Sequence, residues 1–98
     1  MSGTTRTSAD LDPRRRRILF RAWHRGIREM DLIMGRFADA AIDTMSDTEL
    51  DDFERLIEVP DRDLFRWITG EDATPSNYDT AIFRRVKTFH TYDAPIHS

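Results

Sequence analysis

Apolar residues recur at spacings of three and four along most of the 98-residue chain, which is the period of an amphipathic helix. The longest series runs from Ile27 to Met45 and predicts the central helix. No segment alternates apolar and polar residues for long enough to predict a strand, and no Asn-Gly or Asp-Gly hairpin turn occurs. The pattern predicts an all-α fold, a compact small bundle of about five helices.

The helix boundaries in the first half of the chain carry capping residues. Asp12 and Pro13 predict the start of the first helix, as N-cap and first helical residue respectively. Gly26 predicts a break before the second helix, because glycine accepts a positive φ without steric cost. Ser46 and Glu49 have the spacing of a capping box, which predicts the start of a third helix.

Proline and glycine divide the second half of the chain. Pro60 is expected to end the third helix, and Asp61 or Asp63 to cap a short fourth helix. Gly70 is expected to close that helix, and Thr74-Pro75 to open the fifth.

Residues 12–90 are therefore predicted to form a single helical domain. Residues 1–11 are polar and lack periodicity, so we expect a flexible N-terminal tail, and residues 91–98 are predicted to be a C-terminal tail. No apolar run approaches the roughly 18 residues of a membrane span, and no signal-peptide pattern is visible. The absence of cysteine excludes disulfides and thiolate chemistry. We expect a cytoplasmic protein.

Charge is divided unevenly along the chain. Residues 1–36 carry nine arginines and four acidic side chains, whereas residues 37–98 carry six basic and fourteen acidic side chains. A basic surface beside an acidic one suits docking to a protein of complementary potential. Four of the arginines, Arg14–Arg17, fall in the opening turn of the first helix, where they oppose the helix dipole and favour an intermolecular partner. A small nucleic-acid-binding protein that uses this arginine-rich face is the alternative hypothesis.

Templates for catalysis and cofactor binding are absent from the sequence. It has no GxGxxG or GxxxxGK[ST] segment, and its three histidines lack metal-ligand spacing. His24 and Glu29 flank Gly26 and offer the groups of an acid–base pair. An imidazolium at the end of the first helix would meet the helix dipole favourably, and this structural interpretation of His24 is preferred. We therefore expect no enzymatic activity, no metal and no stably bound cofactor.

The segment Arg25-Gly26-x-x-Glu29 admits three interpretations. On one continuous helix, Arg25 and Glu29 would form an ion pair worth only about 0.3–0.5 kcal/mol, and Gly26 argues against that continuity. In the first turn of the second helix, Glu29 would complement the helix dipole. Neither interpretation explains why Gly26, a residue without a side chain, lies between two charges at an exposed corner. The close approach of another protein to the backbone would explain it.

The chain resembles the SdhE-type FAD assembly factors, which promote flavinylation of succinate dehydrogenase. The resemblance spans roughly residues 16–89 and is carried by four segments in the family's order and spacing. These segments are Trp23–Asp31 with its RGxxE motif, Phe37, the helix start Met45-Ser46-Asp47, and Asp61–Ile68. The resemblance implies a compact fold of five helices and a non-enzymatic chaperone. Such a protein binds the flavoprotein subunit of succinate dehydrogenase, and often that of fumarate reductase, and promotes the bond between the flavin 8α-methyl and a histidine of that subunit.

By this resemblance, Arg25, Gly26 and Glu29 form the contact motif. Gly26 is expected to permit close backbone approach, Arg25 to pair with an acidic or carbonyl group on the flavoprotein, and Glu29 to point toward the site of bond formation. Asp63, Phe65 and Trp67 are expected to hold the fold, with Trp67 as the best single core candidate. The other partner-binding candidates are Arg21, His24 and Arg28. FAD belongs to the flavoprotein, and we expect the free chain to be monomeric.

Overall fold

A computed structural model describes residues 10–93 of the chain. Within that range there are five α-helices and no strand, which confirms the predicted all-α fold. A 3₁₀ turn follows the second helix, another precedes the fifth, and a π-helical turn follows the fifth. The helices are α1 (Pro13–Trp23), α2 (Arg28–Ala41), α3 (Asp47–Ile57), α4 (Asp61–Thr69) and α5 (Ala81–Thr88).

Helix α1 starts where its sequence predicted. The Asp12 side chain accepts a hydrogen bond from the Arg15 backbone N–H at 3.3 Å, and Pro13 occupies the first helical position. Leu11 was predicted to lie in the N-terminal tail, but it is buried in the core. Residues 91–93 of the predicted C-terminal tail belong instead to the π-helical turn Phe89–Asp93. Residues 1–9 and 94–98 of the predicted tails lie outside the described residues.

Helices α1 and α2 form the most extensive helix pair in the fold. The Trp23 ring covers Gly35, where an added Cβ would lie only 2.3 Å from the nearest ring carbon. The indole Nε1 donates to Asp39 at 3.2 Å, so the buried ring also satisfies its polar atom. Ile27 was expected on the apolar face of the central helix, but it is the N-cap residue of α2 in extended backbone and is 46% exposed.

Helix α3 begins with the predicted capping box. The Ser46 hydroxyl accepts from the Glu49 N–H at 3.1 Å, and the Glu49 carboxylate accepts from the Ser46 N–H at 2.9 Å. Its predicted inward residues are all buried, and they are Leu50, Phe53, Leu56 and Ile57.

Helix α4 departs from two predictions. Neither Asp61 nor Asp63 is its N-cap, because Pro60 occupies that position and no side chain caps the helix. The expectation that Trp67 is the best core residue is also wrong. Trp67 is only partly buried against the core, whereas Leu64 and Ile68 are the buried residues of α4.

Helix α5 is shorter than its sequence predicted. Thr74-Pro75 leads only into the 3₁₀ turn Ser76–Tyr78, and α5 begins at Ala81. The true N-cap is Thr80, whose hydroxyl accepts from the Phe83 N–H at 3.2 Å.

Gly70 closes α4 with a positive φ of 81°, as predicted. Across residues 10–93, no helix is both long and apolar enough to cross a membrane.

Candidate functional site: the corner between α1 and α2

The chain turns between α1 and α2 through residues 24–29, which we call the corner. Gly26 has a φ of +109°, and a Cβ placed on it would meet no atom within 4 Å. The next three residues, Ile27, Arg28 and Glu29, are exposed. The corner therefore presents bare backbone, one apolar side chain and two opposite charges to the surroundings.

Arg25 is the exception, because its side chain turns into the protein and is only 5% exposed. Its Nε donates to Asp61 at 2.5 Å, and its two terminal nitrogens donate to the carbonyls of Ile57 and Val59 at 2.8 and 2.6 Å. The expectation that this guanidinium pairs with a group on another protein is corrected by these contacts. Arg25 joins the corner to the segment between α3 and α4.

A second carboxylate holds the backbone of the corner. The Arg25 backbone N–H donates to Asp31 at 2.6 Å, from the first turn of α2. Asp31 stood in the predicted motif block but was given no role, although a carboxylate in a first turn is a common partner for free backbone donors. Arg25 is thus fixed through both its backbone and its side chain.

Glu29 lies in the first turn of α2, where its charge complements the helix dipole. The first interpretation of the motif, an ion pair between Arg25 and Glu29, is wrong because Asp61 takes the guanidinium. The carboxylate of Glu29 remains exposed at the corner.

His24 caps the end of α1 and stays exposed. Its Nδ1 lies 2.7 Å from the Phe20 carbonyl, and its ring stacks on the Phe20 ring at 3.9 Å between centroids. Within residues 10–93 no hydrogen bond joins His24 to Glu29, so the structure does not assemble the acid–base pair. Phe20 is 62% exposed and was missed from the sequence, although an aromatic residue four positions before a histidine on one helix predicts such a contact.

An open groove of about 630 Å³ adjoins the corner. One wall comes from Ile27, Glu29 and Met30, and the other comes from α4. Phe65, which was expected only to hold the fold, contributes an apolar surface to the α4 wall beside Arg62. The groove can accept an apolar group, and charged side chains of both signs also line it.

The sequence of this chain matches the family described as the flavinator of succinate dehydrogenase over residues 16–90. The chain belongs to that family. It is 43% identical over 77 residues to the FAD assembly factor SdhE of Acetobacter pasteurianus, an alignment that covers 79% of this chain and 71% of that protein.

Two mitochondrial relatives extend the comparison. Succinate dehydrogenase assembly factor 2 of Meyerozyma guilliermondii is 37% identical over 71 residues, which are 71% of this chain and 53% of that protein. The protein of the same description from Danio rerio is 33% identical over 86 residues, which are 86% of this chain and 54% of that protein. The chain thus spans about half the length of these mitochondrial relatives. No solved structure matches it.

The arginine run of this flavinator family member is divided between the inside and the outside of the fold. Arg14 pairs with Asp51 and Glu54 at 2.6 and 2.7 Å. The Arg15 side chain donates to the carbonyls of Ile42 and Met45 and to Asp12. The prediction that the run favours an intermolecular partner is therefore not needed for these two arginines, because their partners lie within the chain. The outward members are Arg16 and Arg17.

The internal pairing also weakens the nucleic-acid hypothesis. Arg14, Arg15 and Arg25 have partners within the chain, and Arg21 pairs with Glu58. Neutralised guanidinium groups release few counterions from a phosphate backbone, and that release is the main source of nonspecific affinity. Among the described residues, no group of three or more side chains is arranged to hold a metal ion.

Proposed function

We propose that this chain is an assembly factor that binds the flavoprotein subunit of succinate dehydrogenase and promotes covalent attachment of its FAD. The observation that carries the proposal is the family match over residues 16–90, which includes the whole corner. FAD is the cofactor of the flavoprotein, and this chain acts on the geometry of that subunit and not as a catalyst.

The corner has the properties of a preorganised docking surface. Gly26 leaves open space for the backbone of a partner, and Ile27 offers an exposed apolar side chain beside it. The backbone under these residues is fixed by Asp31 and Asp61 through Arg25. A surface that is already ordered loses little conformational entropy on binding, so more of the contact energy appears as affinity.

The chemical step belongs to the flavoprotein, which holds both the flavin and the histidine that becomes linked to it. Holding two reacting groups in the right geometry can replace several kcal/mol of the barrier, so a binding protein can accelerate the step without supplying a catalytic group. The exposed Glu29 carboxylate is the group of the corner that we place nearest to this reaction. The flavoprotein of fumarate reductase is a further proposed partner, and we propose that the free chain is a cytoplasmic monomer.

Co-expression tests the function directly. The flavoprotein subunit is produced with and without this chain, and covalent flavin is read as fluorescence in a denaturing gel. We expect a strong increase with the chain present, and equal fluorescence in the two samples would contradict the proposal.

Glu29→Ala with Asp47→Ala as control separates docking from folding. Both carboxylates stand in the first turn of a helix and are exposed, so each loss should cost a similar amount of dipole stabilisation, about 0.3–1 kcal/mol. We expect only Glu29→Ala to lower covalent flavin. Equal signals from the two variants would remove Glu29 from the docking surface.

A further inference from the structure

The Arg25 guanidinium occupies the C-terminal end of α3. That helix ends at Ile57, and the carbonyls of Ile57 and Val59 accept from the two terminal nitrogens of Arg25. A cation is favourable at a helix C-terminus, where the last carbonyls lack intrahelical partners. Two of the three contacts of Arg25 are therefore explained by the end of α3.

The third contact, with Asp61, has no such local explanation. Asp61 stands in the first turn of α4, yet it does not cap the helix, and its carboxylate instead reaches Arg25. Its side chain is 12% exposed and that of Arg25 is 5% exposed, so the pair is nearly dehydrated. Desolvating two charges offsets much of their attraction, which makes a buried pair a poor source of stability and a good source of fixed geometry.

Asp61 also lines the groove beside the corner, on its α4 wall. Ile27 and Glu29 form one wall, and Arg62 and Phe65, on the turn that follows Asp61, form the other. Helix α4 has α5 as its main helix neighbour, so the pair between Arg25 and Asp61 is a direct tie between α4 and the corner.

We propose that Asp61, which lies outside the RGxxE segment, is a positioning residue for flavoprotein binding. Acting through Arg25, it sets the distance between the corner and the α4 wall and so fixes the shape of the groove that receives the partner. This inference rests on the proposed function. It gives the arginine of the motif an internal role and adds a carboxylate, distant in sequence, to the functional set.

Asp61→Asn tests the proposal, with Asp63→Asn as its matched control. Both aspartates lie in the first turn of α4, but Asp63 is exposed and makes no contact with Arg25. The affinity of each purified full-length variant for the flavoprotein subunit is measured. We expect about tenfold weaker binding for Asp61→Asn, because the buried guanidinium of Arg25 then faces a neutral amide and loses its counter-charge, and unchanged binding for Asp63→Asn.

A double-mutant cycle shows whether Asp61 acts through Arg25. If it does, Arg25→Gln combined with Asp61→Asn should bind no more weakly than Arg25→Gln alone. Losses that add in full would overturn the proposal, because they would mean that the two residues act independently. Amide exchange gives a local readout, since exchange at Gly26 and Ile27 should accelerate in Asp61→Asn while that of the α2 interior stays slow.

Asp61→Glu carries the test if Asp61→Asn does not fold. It keeps the charge near Arg25 but moves the carboxylate by one methylene, so we expect a folded protein with binding weakened severalfold. If the variant that folds, Asp61→Asn or otherwise Asp61→Glu, binds the flavoprotein as tightly as the wild-type chain, the inference is overturned. If the wild-type chain itself neither binds the flavoprotein nor raises its covalent flavin, the proposed function fails instead.

Discussion

Gly26→Ala probes the conformation on which the corner depends. Gly26 and Gly70 are the two glycines with positive φ in the described residues, at 109° and 81°. A Cβ at Gly26 would meet nothing within 4 Å, and one at Gly70 would meet only the end of the Lys87 side chain at 3.9 Å. Neither substitution creates overlap, so the cost at both positions is backbone strain alone.

The two strains should differ in size. At Gly70 the backbone, with ψ of 7°, is close to the left-handed helical region that other residues enter at about 1 kcal/mol. At Gly26 a φ of 109° lies well beyond that region, and we expect a loss of about 2–3 kcal/mol in the free energy of unfolding. For a domain of this size, these losses correspond to a lower Tm by about 5 °C for Gly70→Ala and about 10–20 °C for Gly26→Ala.

Thermal unfolding followed by circular dichroism gives both Tm values. Covalent flavin is then measured for Gly26→Ala and Gly70→Ala at a temperature where both are folded. The variants Gly26→Arg and Gly70→Arg are measured in the same assay. We expect Gly26→Arg to abolish most of the signal, because its side chain fills the space left for the partner, and Gly70→Arg to retain it. Equal Tm values for the two alanine variants would refute the strain argument, and full flavinylation with Gly26→Arg would refute docking at the corner.

Three further substitutions test the core, the capping box and the outer face of α1. Gly35→Ala should destabilise the fold by about 3 kcal/mol in chemical denaturation, because its Cβ would lie 2.3 Å from a ring carbon of Trp23. The Ser46 backbone N–H lowers the pKa of Glu49 below its ordinary 4.5, so the stability from this carboxylate is present above that pH and lost as pH falls through the lowered value. Glu49→Gln should therefore reduce the difference between the unfolding free energies at neutral pH and at about pH 3, and an unchanged difference would contradict this assignment. Phe20→Ala should weaken flavoprotein binding in titration, because the Phe20 ring stacks on His24 of the corner. It should change the free energy of unfolding by no more than about 0.5 kcal/mol, because the ring is 62% exposed.

The features predicted correctly from sequence are those whose physical cause is local. Asp12 reaches the N–H of a residue three positions away, and Ser46 and Glu49 satisfy each other across the same interval. Capping of this kind depends on one turn of chain, so the residue types and their spacing are sufficient to predict it. The helical period of the apolar residues predicted the fold class for the same reason.

The assignment of the core tryptophan failed because burial depends on the facing element. Trp23 and Trp67 both stand on amphipathic helices, and nothing in either local sequence separates them. Trp23 is buried because Gly35 of α2 leaves room for its ring, whereas Trp67 lies partly exposed against Tyr78. Gly35, the residue that decides the burial of Trp23, is distant from it in sequence. A glycine carries no side chain from which this packing could be predicted.

Competing start signals explain the error at α5. Thr74-Pro75 has the form of a helix start, but the chain makes only the 3₁₀ turn Ser76–Tyr78 before Thr80 caps the helix. Both threonines are acceptable N-caps, so propensity alone does not rank them. The buried residues of the helix begin at Ile82, two positions after Thr80, and packing of that face selects the later start.

Arg25 contacts Asp61, which lies 36 positions away in the sequence. A residue of a binding motif can therefore act in one of two ways, by contacting the partner or by shaping the surface that contacts it. A residue that meets the partner needs the right charge, whereas one that shapes the surface needs the right geometry. Arg25 uses three nitrogens for three acceptors in different directions, and a lysine has the charge but not this planar set of donors. Arg25→Lys should therefore lower covalent flavin nearly as much as Arg25→Gln. Full activity with lysine would show that charge is sufficient and would return Arg25 to the contact surface.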